Sequence, residues 1–328
     1  MEETPILKVE GLAVSFATDQ GRWRAVEDVW LQLSRGRTLG LVGESGCGKS
    51  VTALAVTRLL PRPAGRIEEG AVWLDGEDLV RLPAQGMHRI RGNRIAMIFQ
   101  EPMTALNPVH PIGAQVAEVF HLHRPELNPN QVARAVIEIL DRVRIPDPRR
   151  RVGEYPHQIS GGMRQRVMIA MALAARPDIL IADEPTTALD VTIQAQILSL
   201  MQELQRETGM ALLFITHDLG VIAQICDQVA VMYAGRVVES APVGRLFAAP
   251  RHPYTQGLLR AIPRLDSPRK QPLATVAGTV PALAERLAGC RFANRCPHAM
   301  SVCRRESPAL GAVVDEQHEV ACFLYPHR

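Results

Sequence analysis

The chain has 328 residues, of which 47% are hydrophobic and 22% are charged, and its formal net charge is +3 at pH 7. These values are ordinary for a globular protein with a sizeable core, and the length suggests one large domain plus a smaller one. The positive charge is too mild to argue for a nucleic-acid partner. Because the sequence shows no signal-peptide pattern and no apolar run of the roughly 20 residues that span a bilayer, we expect the protein to stay in the cytoplasm.

Short apolar or alternating segments lie on both sides of a glycine-rich loop at residues 43–50. Segments 8–16, 26–33 and 71–76 are rich in Val, Leu and Trp, and this pattern predicts strands of an antiparallel edge sheet. Two aromatics lie upstream of the loop, where an exposed ring could stack on an adenine. Phe16 is the preferred candidate and Trp23 the alternative, although either could equally be a core or surface aromatic.

The glycine-rich loop lies between an apolar run and a helix-compatible run that starts at Val51. Its residues fit the pattern G-x-x-x-x-G-K-[ST] and are Gly43, Glu44, Ser45, Gly46, Cys47, Gly48, Lys49 and Ser50. Glycines let backbone N–H groups approach a polyphosphate closely, and the helix N-terminus adds partial positive charge. Lys49 would reach the β- and γ-phosphates, and the Ser50 hydroxyl would ligate the metal ion. The loop is therefore predicted to bind a nucleoside triphosphate.

A buried strand is predicted at Ile95–Phe99, and it ends at Gln100. This places Gln100 at the carboxyl edge of a sheet, the usual side for ligands in α/β folds; an ordinary strand-end residue is the alternative. Residues 103–158 then change character, because they are punctuated by prolines and contain an amphipathic stretch at 131–143. We interpret them as a helical insertion between parts of the nucleotide-binding sheet.

A second predicted anion-binding helix start follows this insertion. Ser160, Gly161 and Gly162 stand at the head of a run that continues from Val167 to Ala175, and the N-terminus of a long helix favours anions. One chain rarely needs two such sites for one nucleotide. Both are explained if the second site caps a nucleotide that another subunit holds.

Acidic and basic side chains end the next two predicted strands. The apolar run from Ile179 ends in Asp183 and Glu184; Asp183 is placed to hold Mg²⁺ and Glu184 to act as the base for an attacking water. A solvated pair of acids is the structural alternative. A turn ending in Asp190 precedes a predicted helix, and the later strand at 211–216 ends at His217. His217 is predicted to contact the γ-phosphate.

These motifs, GESGCGKS, Gln100, ISGGM, ILIADEP, TALD and His217, together resemble the ATP-binding subunit of an ABC transporter over residues 8 to about 240. The resemblance implies a P-loop ABC-type α/β domain at 1–240, with a RecA-like core, an antiparallel β subdomain and a helical subdomain at about 103–175. It also implies a head-to-tail dimer in which ATP and Mg²⁺ lie between the loop of one subunit and the Ser160-Gly161-Gly162 signature of the other. Mg²⁺ ligands are assigned to Ser50, Gln100 and Asp183, catalysis to Glu184, His217 and Gln100, and nucleotide contacts also to Val51, Phe16 and Asp190.

Three longer sequence phrases indicate which group of ABC transporter ATP-binding subunits the chain resembles. FQEPMTALNP at 99–108, YPHQISGGMRQRVMIAMAL at 155–173 and HPYTQGLL at 252–259 resemble the oligopeptide/dipeptide importer ATPases, D-type subunit. This implies peptide import at the cytoplasmic face of the membrane with an F-type ATPase, two permeases and an extracytoplasmic binding protein as partners. Nickel or glutathione import by the same machinery is the alternative, and a soluble ABC-type ATPase acting on nucleic acid is the rival from another class.

Residues 241–328 are predicted to form a proline-rich C-terminal extension with a metal site. Its candidate ligands are Cys290, Cys296, Cys303 and Cys322, which have the ligand count of an all-thiolate site. The spacing alone leaves an iron–sulfur cluster and zinc equal, with unligated thiols as a third reading; the branch resemblance favours a structural 4Fe–4S cluster. Cys47 is interpreted as a tolerated loop residue and Cys226 as core packing.

Overall fold

The computed structural model describes residues 4–19, 21–100, 105–187, 190–262, 275–313 and 317–325. The chain divides into two compact units. Unit 1 comprises residues 1–33, 38–80 and 215–328, and unit 2 comprises residues 34–37 and 81–214. Both units combine strands with helices, so the α/β class expected from the sequence is confirmed.

The described strands, numbered along the chain, are β1 (Leu7–Thr18), β2 (Gly21–Leu33), β3 (Thr38–Val42), β4 (Gly65–Leu74), β5 (Glu77–Asp78), β6 (Ile95–Ile98), β7 (Ile179–Asp183), β8 (Ala211–Thr216), β9 (Gln228–Tyr233), β10 (Arg236–Pro242), β11 (Gly311–Ala312) and β12 (Glu319–Val320). The described α-helices are α1 (Lys49–Val56), α2 (Ala84–Ile90), α3 (Ile112–His123), α4 (Pro129–Arg142), α5 (Pro148–Arg151), α6 (Gly161–Leu173), α7 (Val191–Thr208), α8 (Leu219–Ile225), α9 (Val243–Ala248), α10 (Pro253–Arg260) and α11 (Ser301–Arg305). Short 3-10 helices cover Pro156–Gln158 and Leu283–Glu285.

Unit 1 contains the expected antiparallel sheet, with the strand order β2-β1-β4-β5. Strand β1 runs antiparallel to both β2 and β4. Its apolar side chains, including Val9, Leu12 and Val14, are buried, which gives this sheet one core-facing side. The sequence prediction of these three strands is confirmed.

A second set of strands in unit 1 places the glycine-rich loop. Strand β3 pairs in parallel with β9, and β9 pairs antiparallel with β10. Every residue of β3 is buried, as expected for a strand that helices cover on both faces. The short strands β12 and β11 extend this set beyond β10. The chain leaves β3 directly into the loop and then enters α1.

Unit 2 contains the parallel pair β6–β7 together with most of β8, whose last two residues belong to unit 1. Its helix α4 confirms the amphipathic stretch, because Val132, Val136, Ile139 and Leu140 are buried at helical spacing. Asn128 and Gln131 form a capping box at its start, which satisfies backbone N–H groups that the helix leaves without partners. Among the helices of the described residues, none is long and apolar enough to cross a membrane.

The C-terminal region packs within unit 1. Strand β10 crosses residue 240, and its Glu239 is paired in register with Val320 of β12. The domain boundary at 240 and the subdomain limits at about 103 and 175 stay predictions.

Candidate nucleotide-binding site

The path of the loop requires glycine at particular positions. A Cβ added to Gly43 would lie 2.1 Å from the carbonyl oxygen of Met232 in β9, so no side chain fits there. Gly46 and Gly48 have φ values of 76° and 110°, in the left-handed region that only glycine enters without strain. A Cβ on Gly46 would meet nothing within 4 Å. The loop is thus packed against the sheet at Gly43 and open to solvent at Gly46.

The side chain of Lys49 is hydrogen-bonded to the backbone of its own loop. Its ammonium donates hydrogen bonds to the carbonyl oxygens of Gly43 at 2.8 Å and Glu44 at 3.2 Å, and the residue is 5% exposed. Ser50 beside it is half-buried. A glycine-rich loop that carries an ammonium and a hydroxyl offers the donors that suit a polyphosphate with its metal ion.

Cys47 is fully buried in the loop, and burial raises the pKa of its thiol. The carbonyl oxygen of Cys47 accepts a hydrogen bond at 2.7 Å from the N–H of Gly235, in the turn between β9 and β10. Cys47 is therefore a packed residue of the loop, and its interpretation as a tolerated loop residue stays a prediction. Cys226 is also buried, which confirms its interpretation as core packing.

Glu44 has further contacts in unit 1 that the sequence analysis missed. Its N–H donates to the hydroxyl of Tyr254 at 2.9 Å, and its carboxylate accepts two hydrogen bonds from Arg295, at 2.7 and 3.0 Å. The bond to Glu44 is the largest cause that raises the pKa of Arg295 above its ordinary value. Tyr254 lies in HPYTQGLL and Arg295 in GCRFANRC, but neither phrase by itself points to the loop.

The remaining candidates of unit 1 are placed as follows. Phe16 and Trp23 are register partners across β1 and β2, and both are half-buried, so the choice of the ring that stacks on adenine stays a prediction.

His217 is exposed immediately after β8. The following residue, Asp218, caps α8 by accepting from Gly220 N at 2.8 Å. The cap fixes the backbone on which His217 is presented.

Unit 2 brings Gln100 and Glu184 together. Nε2 of Gln100 donates to Oε2 of Glu184 at 3.2 Å, and Oγ1 of Thr187 donates to the same oxygen at 3.0 Å. Asp183, which ends β7, is 3% exposed. Glu184 has a φ of 49°, an uncommon conformation for a non-glycine residue that turns the chain sharply after the strand. Thr187 is a site residue that the sequence analysis did not single out.

The serine–glycine helix start is also in unit 2. Oγ of Ser160 accepts from the N–H of Met163 at 3.3 Å and so caps α6. A Cβ on Gly161 would meet nothing within 4 Å, whereas one on Gly162 would lie 3.1 Å from Cγ2 of Ile193. Asp190 caps α7 by accepting from the N–H of Ile193 at 2.9 Å. The contacts of Ser160 and Asp190 with a nucleotide stay predictions.

The predicted C-terminal metal site is wrong. Cys290, Cys296, Cys303 and Cys322 are free thiols within the described residues, and those residues contain no group of three or more His, Cys, Asp or Glu side chains that could hold a metal ion. Neither the 4Fe–4S cluster nor its zinc alternative is therefore supported. Four sulfurs must converge on one point to bind a metal, and closeness in sequence does not ensure this.

The thiols of the C-terminal cysteines are partly buried and influence one another. Burial is the largest cause that raises the pKa of Cys290, Cys296 and Cys322, the last to about 11, and neighbouring thiols raise it further. The cysteines are thus near enough to influence one another without grouping as ligands.

A buried strand that enters a glycine-rich loop and a helix is typical of P-loop ATPases, and so is a buried strand that ends at Asp183 with Glu184 directly after it. Comparisons with known proteins agree. Residues 26–187 match the family described as ABC transporter, and residues 238–303 match the oligopeptide/dipeptide transporter, C-terminal region.

Among curated relatives, the oligopeptide transport ATP-binding protein OppD of Bacillus subtilis is 47% identical, over 98% of this chain and 90% of that protein. The dipeptide transport ATP-binding protein DppD of the same organism is 49% identical, over 98% and 96%. A Brucella ovis protein named for peptide import is 53% identical, over 99% and 98%.

Solved structures show the same fold. The ATP-binding cassette MJ0796, in a dimeric post-hydrolysis state bound to ADP and Pi, matches with a TM-score of 0.65 at 26% identity, over 72% of this chain and 98% of that chain. The cbiO1 subunit from Clostridium perfringens matches with a TM-score of 0.64 at 28% identity, over 75% and 92%.

The chain belongs to the ABC transporter ATP-binding subunits, in the branch that carries the oligopeptide/dipeptide transporter C-terminal region. It is an ATPase coupled to transport, and its membership implies membrane permeases and an ATPase as partners. The family expectation drawn from the sequence motifs is confirmed.

Proposed function

We propose that this protein hydrolyses ATP at the cytoplasmic face of the membrane to drive the import of di- or oligopeptides through partner permeases. The observation that carries the cargo class is the C-terminal match at residues 238–303, combined with the near full-length similarity to OppD and DppD, both named for peptide transport. ATP hydrolysis is common to transporters of many cargoes, so the C-terminal region says more about the cargo than the ATP-binding domain does.

We assign the roles in hydrolysis as follows. Lys49 contacts the β- and γ-phosphates, and the Ser50 hydroxyl and the Asp183 carboxylate hold Mg²⁺, with Gln100 as a further ligand. Glu184 takes a proton from the attacking water, and His217 contacts the γ-phosphate. Bound Mg²⁺ supplies neutralisation of the charge that develops on the phosphate oxygens. The hydrogen bonds from Gln100 and Thr187 support the role of Glu184, because they orient its carboxylate.

The proposal includes a head-to-tail dimer of ATPases. The N-terminus of α6, with Ser160, Gly161 and Gly162, would face the γ-phosphate of a nucleotide held by the partner, and Asp190 would lie beside it. The open space at Gly161 supports this role, since a phosphate could approach that backbone closely. The dimeric state named for the similar cassette MJ0796 is consistent with it.

For the partners, we propose an F-type ATPase, two permeases and an extracytoplasmic binding protein, with the 103–158 insertion docking the permeases. The test is reconstitution of the assembled transporter in proteoliposomes with ATP inside and the binding protein outside. We expect saturable uptake of a labelled oligopeptide that unlabelled peptide competes and that Lys49→Ala abolishes. Uptake of nickel or glutathione under the same conditions, without peptide uptake, would overturn the cargo assignment.

A further inference from the structure

The C-terminal region holds the phosphate loop through a half-buried ion pair. The guanidinium of Arg295 makes a two-pronged contact with Glu44, at 2.7 and 3.0 Å, and its side chain is only 6% exposed. Its other donors are also engaged, with Ala277 O at 2.7 Å and Val276 O at 3.0 Å. Arg295 is therefore fixed in place before it meets the loop, and a fixed bidentate pair loses less freedom on forming than a mobile one does.

Glu44 is held at every polar atom it has. Its N–H donates to the hydroxyl of Tyr254, a residue with no exposed surface, and its carboxylate meets Arg295. Its carbonyl oxygen accepts from the ammonium of Lys49 at 3.2 Å. A displacement of Glu44 would thus move an acceptor that positions Lys49, the residue assigned to the phosphates.

Two more arginines of the same region reach the backbone behind the loop. Arg286 donates to Ala25 O at 3.0 Å, and Arg291 donates to Ala234 O. The turn that contains Ala234 continues to Gly235, whose N–H bonds the carbonyl oxygen of Cys47 at 2.7 Å. The loop is therefore held by the C-terminal region at its second residue and through this turn at its fifth.

We propose that Arg295 is a positioning residue for ATP binding: through Glu44 it keeps the phosphate loop and Lys49 in the conformation that receives the nucleotide, so the C-terminal region sets the affinity of this ATPase for ATP. Tyr254 supports the same function at the backbone of Glu44. The proposal rests on ATP binding by the loop and is independent of the cargo.

The first test is Arg295→Gln, measured in the assembled transporter for kcat and KM for ATP, with nucleotide affinity measured separately. Loss of a charge-assisted pair should raise KM and Kd for ATP by about tenfold, while kcat stays within about twofold. A purely structural role would lower the folded fraction and kcat and leave KM unmoved. Arg304→Gln is the matched control, because Arg304 is an exposed arginine of the same region whose side chain contacts Asn294 and not the loop.

A double-mutant cycle guards against misfolding of a single variant. Glu44→Gln should raise KM about as much as Arg295→Gln, and the double variant should be no worse than either single one. Tyr254→Phe removes only the hydroxyl and should raise KM by a smaller factor. If wild-type protein binds ATP and both Arg295→Gln and Glu44→Gln match its KM, the positioning role is overturned. If wild-type protein itself fails to bind ATP, the ATPase assignment fails instead.

Discussion

Gln100 and Glu184 are 84 residues apart in the chain, yet the Gln100 side-chain amide donates a hydrogen bond to Glu184 Oε2 at 3.2 Å. Thr187 donates to the same oxygen at 3.0 Å. Two donors on one oxygen fix the plane of the carboxylate. A general base gains from such orientation, since its lone pair must already point at the proton that it removes.

Gln100→Ala should lower ATP turnover by about 10- to 150-fold, because a hydrogen bond to a charged group contributes roughly 1.5–3 kcal/mol. Steady-state phosphate release by the assembled transporter measures this. Gln85→Ala, at an exposed position of α2, is the control and should match wild type. An unchanged kcat for Gln100→Ala would separate this amide from the hydrolytic step.

The sequence predicted strands and helices well where an apolar run is bounded by glycine, proline or polar residues. Strands β7 and β8 are continuous apolar runs that are buried throughout, and their observed bounds differ from the expected ones by at most a residue. The glycine-rich loop was predictable because its backbone path leaves few residue choices. These features are set by residues that are neighbours in sequence.

Long-range contacts were harder to predict. Arg295 and Glu44 are 251 residues apart, and no periodicity connects them. The four C-terminal cysteines led to a wrong prediction for a related reason, because the direction of each thiol depends on turns and burial that a ligand count does not encode. Elements built from local motifs were thus predictable, whereas the contacts that the C-terminal region makes with the loop were not.

Two glycines of the loop should differ in what they tolerate. Gly43→Ala brings a methyl group to 2.1 Å from Met232 O, and overpacking of this kind costs about 1–3 kcal/mol or more. Gly46→Ala meets nothing within 4 Å, and its φ of 76° alone costs about 1–2 kcal/mol. Denaturant unfolding should therefore rank Gly43→Ala as the less stable variant. The opposite ranking would contradict the packing of Gly43 against β9.

Stability should fall on acidification because of His252. Burial lowers the pKa of His252 from 6.5 to about 4, while Glu239 nearby acts weakly in the opposite direction. Between these values the unfolded chain binds the extra proton, so the free energy of unfolding decreases as the pH falls through this window and is fully retained above 6.5.

Urea unfolding between about pH 7 and pH 5 measures this slope. Nδ1 of His252 caps α10 by accepting from the N–H of Tyr254 at 3.1 Å. His252→Asn keeps a capping oxygen but does not titrate, so its stability should depend less on pH. Equal slopes for the two proteins would exclude His252 as the source.

Asp190 has both a structural contact and an assigned nucleotide role, and two variants separate them. Asp190→Ala removes the cap of α7 and should cost about 1 kcal/mol, whereas Asp190→Asn keeps the acceptor and should cost little. If Asp190 also acts at the nucleotide, both variants should lower ATP turnover. Thermal unfolding beside ATPase assays checks this, and an Asn variant that is as unstable as the Ala variant would contradict the capping role.

The assignment of Glu184 as the base is tested most directly by Glu184→Gln, assayed for both ATP binding and ATP turnover in the assembled transporter. The substitution keeps the size of the side chain and removes its capacity to accept a proton. We predict ATP affinity within about twofold of wild type and turnover lower by about 10²–10⁴. Turnover at the wild-type rate would contradict the proposed site.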